Sequence, residues 1–299
     1  MLTAAVRDLH RCHPGKFQTD IRTPFPEIWQ SNPYITVFDD HASGVTAIDC
    51  HYPLIHQSNS RPCHFLHGFS EFLSECLGVR FVPMEFRGDI HLTPAEKESS
   101  VVKSLLGGHT GAFWLISAGG KSDFTIKWWA SDRFQKVVDA FAGEIIFVQV
   151  GSSEHFHPPL RNVIDLRGKT TLRQLIQLVH HSSGAVCPVT LLMHLAAAVE
   201  TSFDASPNRP CVVIAGGREP PHWEAYPTHQ FIHTVGALDC CREGGCWRSR
   251  TVRLGDGDIR DHPRHLCEDV VSGPLPRCMD MITDNMVIER IRIYISGRH

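Results

Sequence analysis

From residue 112 onward, short runs rich in Val, Ile and Phe alternate with segments whose apolar residues recur every three or four positions, a pattern that points to a parallel sheet wrapped in helices. Runs at 112–118, 144–150, 185–189 and 211–215 read as strands, and their consecutive apolar residues require cover on both faces. Helical periodicity occupies 131–142, 171–181, 191–199 and 283–294, the last opened by a capping Thr283 with Asp284 in its first turn. The same grammar runs through the first third, with strands expected at 17–23, 35–38 and 80–86 and helices at 62–77 and 94–106. The expectation is therefore an α/β protein, doubly wound twice, with domains at 1–108 and 109–299. The glycines of 106–111 break both periodicities and mark the link between them.

Composition narrows the partners. A net charge of −3 over 299 residues gives no electrostatic footprint for nucleic acid or an anionic membrane. The apolar runs are too short to span a bilayer, and residues 1–7 are too short for a signal-peptide core, so a cytoplasmic protein is expected. Six of the 11 cysteines, Cys12, Cys50, Cys63, Cys76, Cys187 and Cys211, are scattered through the elements, which suits reduced thiols better than a disulfide framework. The 20 histidines form no His-Glu-x-x-His pattern and read mostly as solvated residues, with His194 the exception.

The segment 187–200 carries the first chemistry. Thr190 reads as the cap of a helix of small and apolar residues, whose first N–H groups lack partners and face the positive end of the helix dipole. A diphosphate fits at Thr190, Leu191 and Leu192, and an ordinary capped core helix fits the same residues. His194 falls one turn further on the same face, able to reach a phosphate or to hold a loop. Upstream, Ser117, Ala118, Gly119 and Gly120 end a strand where backbone can approach an anion closely. Lys127 precedes Trp128 and Trp129, which read as core or interface aromatics. Gly168, Lys169 and Thr170 lack the upstream spacing of a P-loop and read as a turn into the helix at 171.

In this order, a strand ending in Gly, Lys-x-Trp at 127–129, Gly-Lys-Thr-x-Leu at 168–172 and His-x-Ala-Ala-Ala at 194–198 resemble the donor half of the bacterial heptosyltransferases, glycosyltransferase family nine. The resemblance runs through most of 109–220. It implies a GT-B fold of two Rossmann-like domains, a terminal helix that crosses back to the first domain, and inverting transfer of a sugar from a nucleotide-diphospho-sugar, an ADP-heptose among the candidates. It implies donor contacts at Ser117, Gly119, Lys127, Gly168, Lys169, Thr190, Leu191 and His194, with Gly168 and Lys169 beside the nucleoside. One position departs: the family's sugar-contacting acid, directly before the residue matching Thr190, is here Val189.

An inverting transfer also needs a base for the acceptor hydroxyl, and the family's Asp in a Gly-Asp loop after the first strand has no match here. Residues 1–10 look like the middle of the helix that follows that loop. Either translation begins upstream, or the chain is a non-catalytic nucleotide-sugar or protein-binding module. A doubly wound domain without its central strand would expose sheet edges, which favours the upstream start. Asp39, Asp40 and Asp49 are conceivable substitutes, and nothing singles one out. The acceptor is open, as is self-association into a homo-oligomer. The polar segment 56–64 is in the half that would face an acceptor. Residues 214–226 could frame nucleotide or acceptor, with Arg218 and Glu219 the expected solvated ion pair.

The remaining cysteines crowd into 240–278. Counted from Cys241, the spacing C-x4-C-x20-C-x10-C joins Cys241, Cys246, Cys267 and Cys278 with glycines that permit a tight thiolate knuckle. Four thiolates suit a structural iron or zinc, with no metal needed for transfer itself. The cluster resembles the cysteine-rich iron finger of autotransporter heptosyltransferases, and leaves Cys240 or Cys241 as the first ligand.

Overall fold

The computed structural model describes residues 1–39, 42–50, 59–98, 100–202 and 209–297. Its centre is a parallel sheet of β1 (Phe113–Ile116), β2 (Ile146–Gln149), β3 (Ile164–Asp165), β4 (Gly184–Pro188), β5 (Cys211–Gly216) and β6 (Gln230–His233). The order across the sheet is β3-β2-β1-β4-β5-β6, the arrangement of a doubly wound nucleotide-binding domain. Between β1 and β4 the winding reverses direction, and ligands in such sheets bind beyond the carboxyl ends of the strands at that point.

Alternate side chains send each strand's apolar residues to two cores. On one face Leu115, Val148, Ala185, Cys187 and Val213 pack with Ile176 and Val179 of α6 (Leu172–His181) and Leu195 of α7 (Leu191–Ala198). On the other, Trp114, Ile116, Phe147, Val186 and Ile214 meet Val137 of α5 (Ser131–Ala140) and Ile291 of α10 (Asp284–Ile295). Burying about ten such side chains contributes on the order of 15–30 kcal/mol before the entropy cost of ordering the chain. Trp114 also explains Gly184 on the neighbouring strand, since a Cβ there would stand 2.4 Å from the indole ring. The terminal helix α10 packs on α5 and β5. It thus covers the sheet, in place of the expected return to the first domain, because Val287, Ile288 and Ile291 complete the second core.

The N-terminal third differs from expectation. Its helices are α1 (Leu2–Cys12), α2 (Phe65–Leu77), α3 (Pro94–Lys97) and α4 (Ser100–Leu105). Among the described residues no strand ladder precedes β1, so a second doubly wound sheet is not seen: 17–23, 35–38 and 80–83 carry no strand beyond one parallel bridge from Thr19 to Ile35, and 84–86 bend. The alternation at 80–86 is real, with Phe81 buried and Val82 and Met84 exposed, but no described neighbour supplies the ladder hydrogen bonds. The segment is instead gripped by α1, where Arg7 donates to the Glu85 and Arg87 carbonyls and Asp8 accepts from the Met84 N–H. Ala5, Leu9, Phe65, Phe69 and Phe81 form a third core closed by Trp223, which arrives from the loop after β5. Ile90, Leu92, Val102 and Leu106 join the first face of the sheet.

Candidate functional site

The reversal point is built from the ends of β1 and β4. The Ser117 N–H donates to the Val186 carbonyl at 3.0 Å, tying the two strands beyond their last paired residues. Gly119 follows with φ 101°, and a Cβ there would stand 2.0 Å from the Phe156 carbonyl oxygen. The backbone that approaches Gly119 is therefore the chain's own, since Gly120 and Phe156 exchange backbone hydrogen bonds of 2.8 and 3.2 Å.

Thr190 follows β4 and begins α7, as expected, but its side chain accepts no capping hydrogen bond from that helix. Its backbone is extended, φ −144° and ψ 177°, and its Oγ1 is buried without a hydrogen-bond partner among the described residues. Met193 N–H bonds to the Thr190 carbonyl at 3.2 Å, and the Leu191 and Leu192 N–H groups stand with this hydroxyl at the positive end of the helix. Leu191 is exposed beside them. His194, one turn on, bonds through Nδ1 to the Tyr226 hydroxyl at 3.1 Å, and its Nε2 lies 3.7 Å from Glu224 Oε2. Burial pushes the His194 pKa well below its ordinary value, so the ring is neutral.

Lys127 closes the short 3₁₀ helix Ser122–Lys127 and is mostly buried, its Nζ 2.9 Å from Glu219 Oε2. Glu219 also pairs with Arg218, whose guanidinium lies 4.7 Å from the Phe124 ring and 5.6 Å from that of Trp247. The Arg218–Glu219 pair is buried, where a solvated pair was expected, because these two aromatic rings cover it. Burial, reinforced by Arg218, lowers the Lys127 pKa, while Glu224 opposes the shift. Glu224 itself ends α8 (Pro221–Glu224), and burial raises its pKa. The sequence missed Glu224 and Tyr226; the signal available was the rigid Pro220-Pro221 pair directing the chain back over the sheet.

Other candidates are more distant. Gly168 takes a left-handed turn, φ 66°, and donates to the Gly151 carbonyl, while Lys169 is held by the Asp165 carbonyl at 2.7 Å. Both follow β3, three strands from β4, which is about 14 Å at ordinary strand spacing. Trp129 is a core residue bonded to the Ile282 carbonyl, and Trp128 stacks on Phe156. Asp39 and Asp49 belong to segments outside the sheet, and Asp40 and residues 56–58 lie outside the described residues. The histidines are less solvated than expected: His64, His180 and His229 are buried, which a neutral imidazole tolerates.

Residues 115–230, from β1 to the start of β6, match the model of glycosyltransferase family 9 (heptosyltransferase). Over this stretch, well under half of the chain, the sequence is similar to glycosyltransferase family 9. No curated protein matches the sequence. Among solved structures, the iron-containing dodecameric glycosyltransferase TibC from enterotoxigenic E. coli is 17% identical, with a TM-score of 0.57 over 99% of this chain and 72% of TibC. The glycosyl transferase family 9 protein from Veillonella parvula is 14% identical, with a TM-score of 0.52 over 79% of this chain. The match spans 61% of the Veillonella protein, about three fifths of its length. These likenesses support the mixed α/β fold with a central parallel sheet.

Behind the reversal point between β1 and β4, the chain returns through the cysteine-rich segment. The Cys246 and Trp247 N–H groups donate to the Gly217 and Arg218 carbonyls, so this segment runs beside the loop that carries Glu219. Cys240, Cys246, Cys267 and Cys278 line one small cavity. Cys241 does not: its thiol packs inward, 3.5 Å from the Thr234 and Leu238 carbonyls, because adjacent residues of the 3₁₀ turn Asp239–Cys241 point to different sides. Cys240, and not Cys241, therefore faces the cavity. Among the described residues no three His, Cys, Asp or Glu side chains are drawn to metal-holding geometry. The donor chemistry of the four cavity thiols nevertheless suits a thiophilic metal.

Proposed function

We propose that this chain is a glycosyltransferase that binds a nucleotide-diphospho-sugar at the β1/β4 reversal point and transfers the sugar, with inversion, to an acceptor hydroxyl. The observation that carries the reading is the buried Thr190 hydroxyl at the start of α7, unpartnered among the described residues. A diphosphate accepts from that hydroxyl and from the first N–H groups of α7, where the helix dipole favours negative charge. As the glycosidic bond breaks, these donors and Lys127 stabilise the charge developing on the leaving group. The nucleoside extends along the strand ends toward Gly168 and Lys169.

The sugar is a heptose and the nucleotide ADP in this reading, supported by the family 9 (heptosyltransferase) match. The four cavity thiols of Cys240, Cys246, Cys267 and Cys278 hold a structural iron or zinc, supported by the likeness to iron-containing TibC. Such a metal supplies a cross-link and takes no part in transfer. The dodecameric state of TibC supports self-association. Calorimetric titration with ADP-, UDP- and GDP-sugars tests the proposal: ADP-heptose binds most tightly, and a panel with no binding member contradicts it.

A further inference from the structure

Among the described residues three carboxylates are buried: Asp8, Glu219 and Glu224. Asp8 is paired with Arg7, and Glu219 with both Lys127 and Arg218. Glu224 is different. Its side chain is 5% exposed, its Oε2 has His194 Nε2 at 3.7 Å, beyond hydrogen-bond distance, and its Oε1 has no hydrogen-bond partner among the described residues. A buried carboxylate left in this way is costly, and the charges of Lys127 and Arg218, which favour its ionised form, only partly offset the burial that raises its pKa. Pro221 sets the first turn of α8, and Trp223 anchors it against Phe65, with ring centroids 4.3 Å apart. Glu224 is held in place by packing, with its acceptor capacity unused.

Its position gives that capacity a use. Helical side chains lean toward the N-terminus, so the His194 ring lies over the turn that begins at Thr190. Glu224, 3.7 Å from that ring, therefore lies on the side of α7 that carries its first turn. A sugar joined to a diphosphate there would bring its hydroxyls toward this carboxylate. The position directly before Thr190 offers no acceptor, since Val189 is apolar and buried.

We propose that Glu224 is a sugar-specificity residue of the donor site, accepting hydrogen bonds from hydroxyls of the transferred sugar. The inference rests on the donor reading above. A carboxylate accepting from hydroxyls forms charge-assisted bonds, about twice as strong as neutral ones. His194, fixed by Tyr226, forms the opposite wall, and Lys127 and Arg218 favour the charged form of Glu224 against its burial.

Calorimetry of ADP and of ADP-heptose against wild type and Glu224→Gln separates the two claims. The substitution keeps volume and removes the charge. The expected result is a loss of roughly tenfold or more in ADP-heptose affinity with ADP affinity kept within about twofold. Unchanged ADP-heptose affinity, or equal losses for both ligands, overturns the role of Glu224. Wild-type protein that binds neither ligand overturns the donor reading itself. Should Glu224→Gln fail to fold, Glu224→Asp keeps the charge but shortens its reach, and the same selective loss of ADP-heptose affinity is expected; equal affinity for both ligands relative to wild type overturns the role.

Discussion

Lys127 Nζ lies 2.9 Å from Glu219 Oε2 inside a largely closed site, so the cation best placed to meet a diphosphate is already paired. Glu219 also holds Arg218, and one carboxylate is therefore shared by two cations. Replacing Lys127 by Met keeps the alkyl stem and leaves Glu219 with Arg218. The variant is expected to bind ADP roughly 10- to 150-fold more weakly, the equivalent of about 1.5–3 kcal/mol for a hydrogen bond to a charged group. Calorimetric titration checks this, and unaltered affinity removes Lys127 from the site.

Thr190 supplies a sharper contrast. A capping threonine is worth about 1 kcal/mol of stability, but the Thr190 hydroxyl makes no cap bond and is buried unpartnered. Thr190→Val should therefore leave the urea midpoint unchanged or slightly raised, while ADP binding weakens. A loss of stability with ADP affinity intact would return α7 to the role of an ordinary core helix.

The cysteine cavity distinguishes neighbours. With Cys240, Cys246, Cys267 and Cys278 lining it and Cys241 turned away, protein prepared under reducing conditions is expected to carry about one iron or zinc per chain. Cys240→Ser should lower that content sharply and Cys241→Ser should leave it in place. Elemental analysis decides, and a wild-type content near zero contradicts the metal reading.

Two buried histidines set an acid limit. Burial lowers the pKa of His64 from 6.5 to about 4 and that of His229 from 6.5 to about 3. Both rings take up protons more readily when unfolded, so their contribution is complete above pH 6.5 and is lost as the pH falls from there toward 4. Each loss is on the order of 3 kcal/mol by pH 4. His229→Phe should reduce the acid shift of the urea midpoint by about that amount; a midpoint as acid-sensitive as wild type would contradict it.

How far the sequence could be read follows from how each element is stabilised. β1 and β4 are buried along their whole length, so their apolar runs announce them, and α7 follows from its small and apolar residues. β3 has two residues and β6 a partly exposed, polar pattern, neither of which stands out from a loop. Residues 80–86 show the opposite failure: a strand-like alternation without a described neighbour to pair with. Of the donor candidates, Thr190, Lys127 and His194 were legible from local motifs. Glu224 was not, because only the fold after β5 carries it back to His194. Cys240 and Cys241 are indistinguishable by spacing, and the turn geometry alone separates them.

The central claim is that the diphosphate binds where β1 and β4 diverge, and a crystal structure of the protein with ADP tests it most directly. The account predicts phosphate oxygens within about 3 Å of Thr190 Oγ1 and the first N–H groups of α7, with Lys127 Nζ in contact, as hydrogen bonds to a charged acceptor require. ADP bound elsewhere, with the Thr190 hydroxyl and the start of α7 untouched, would contradict it.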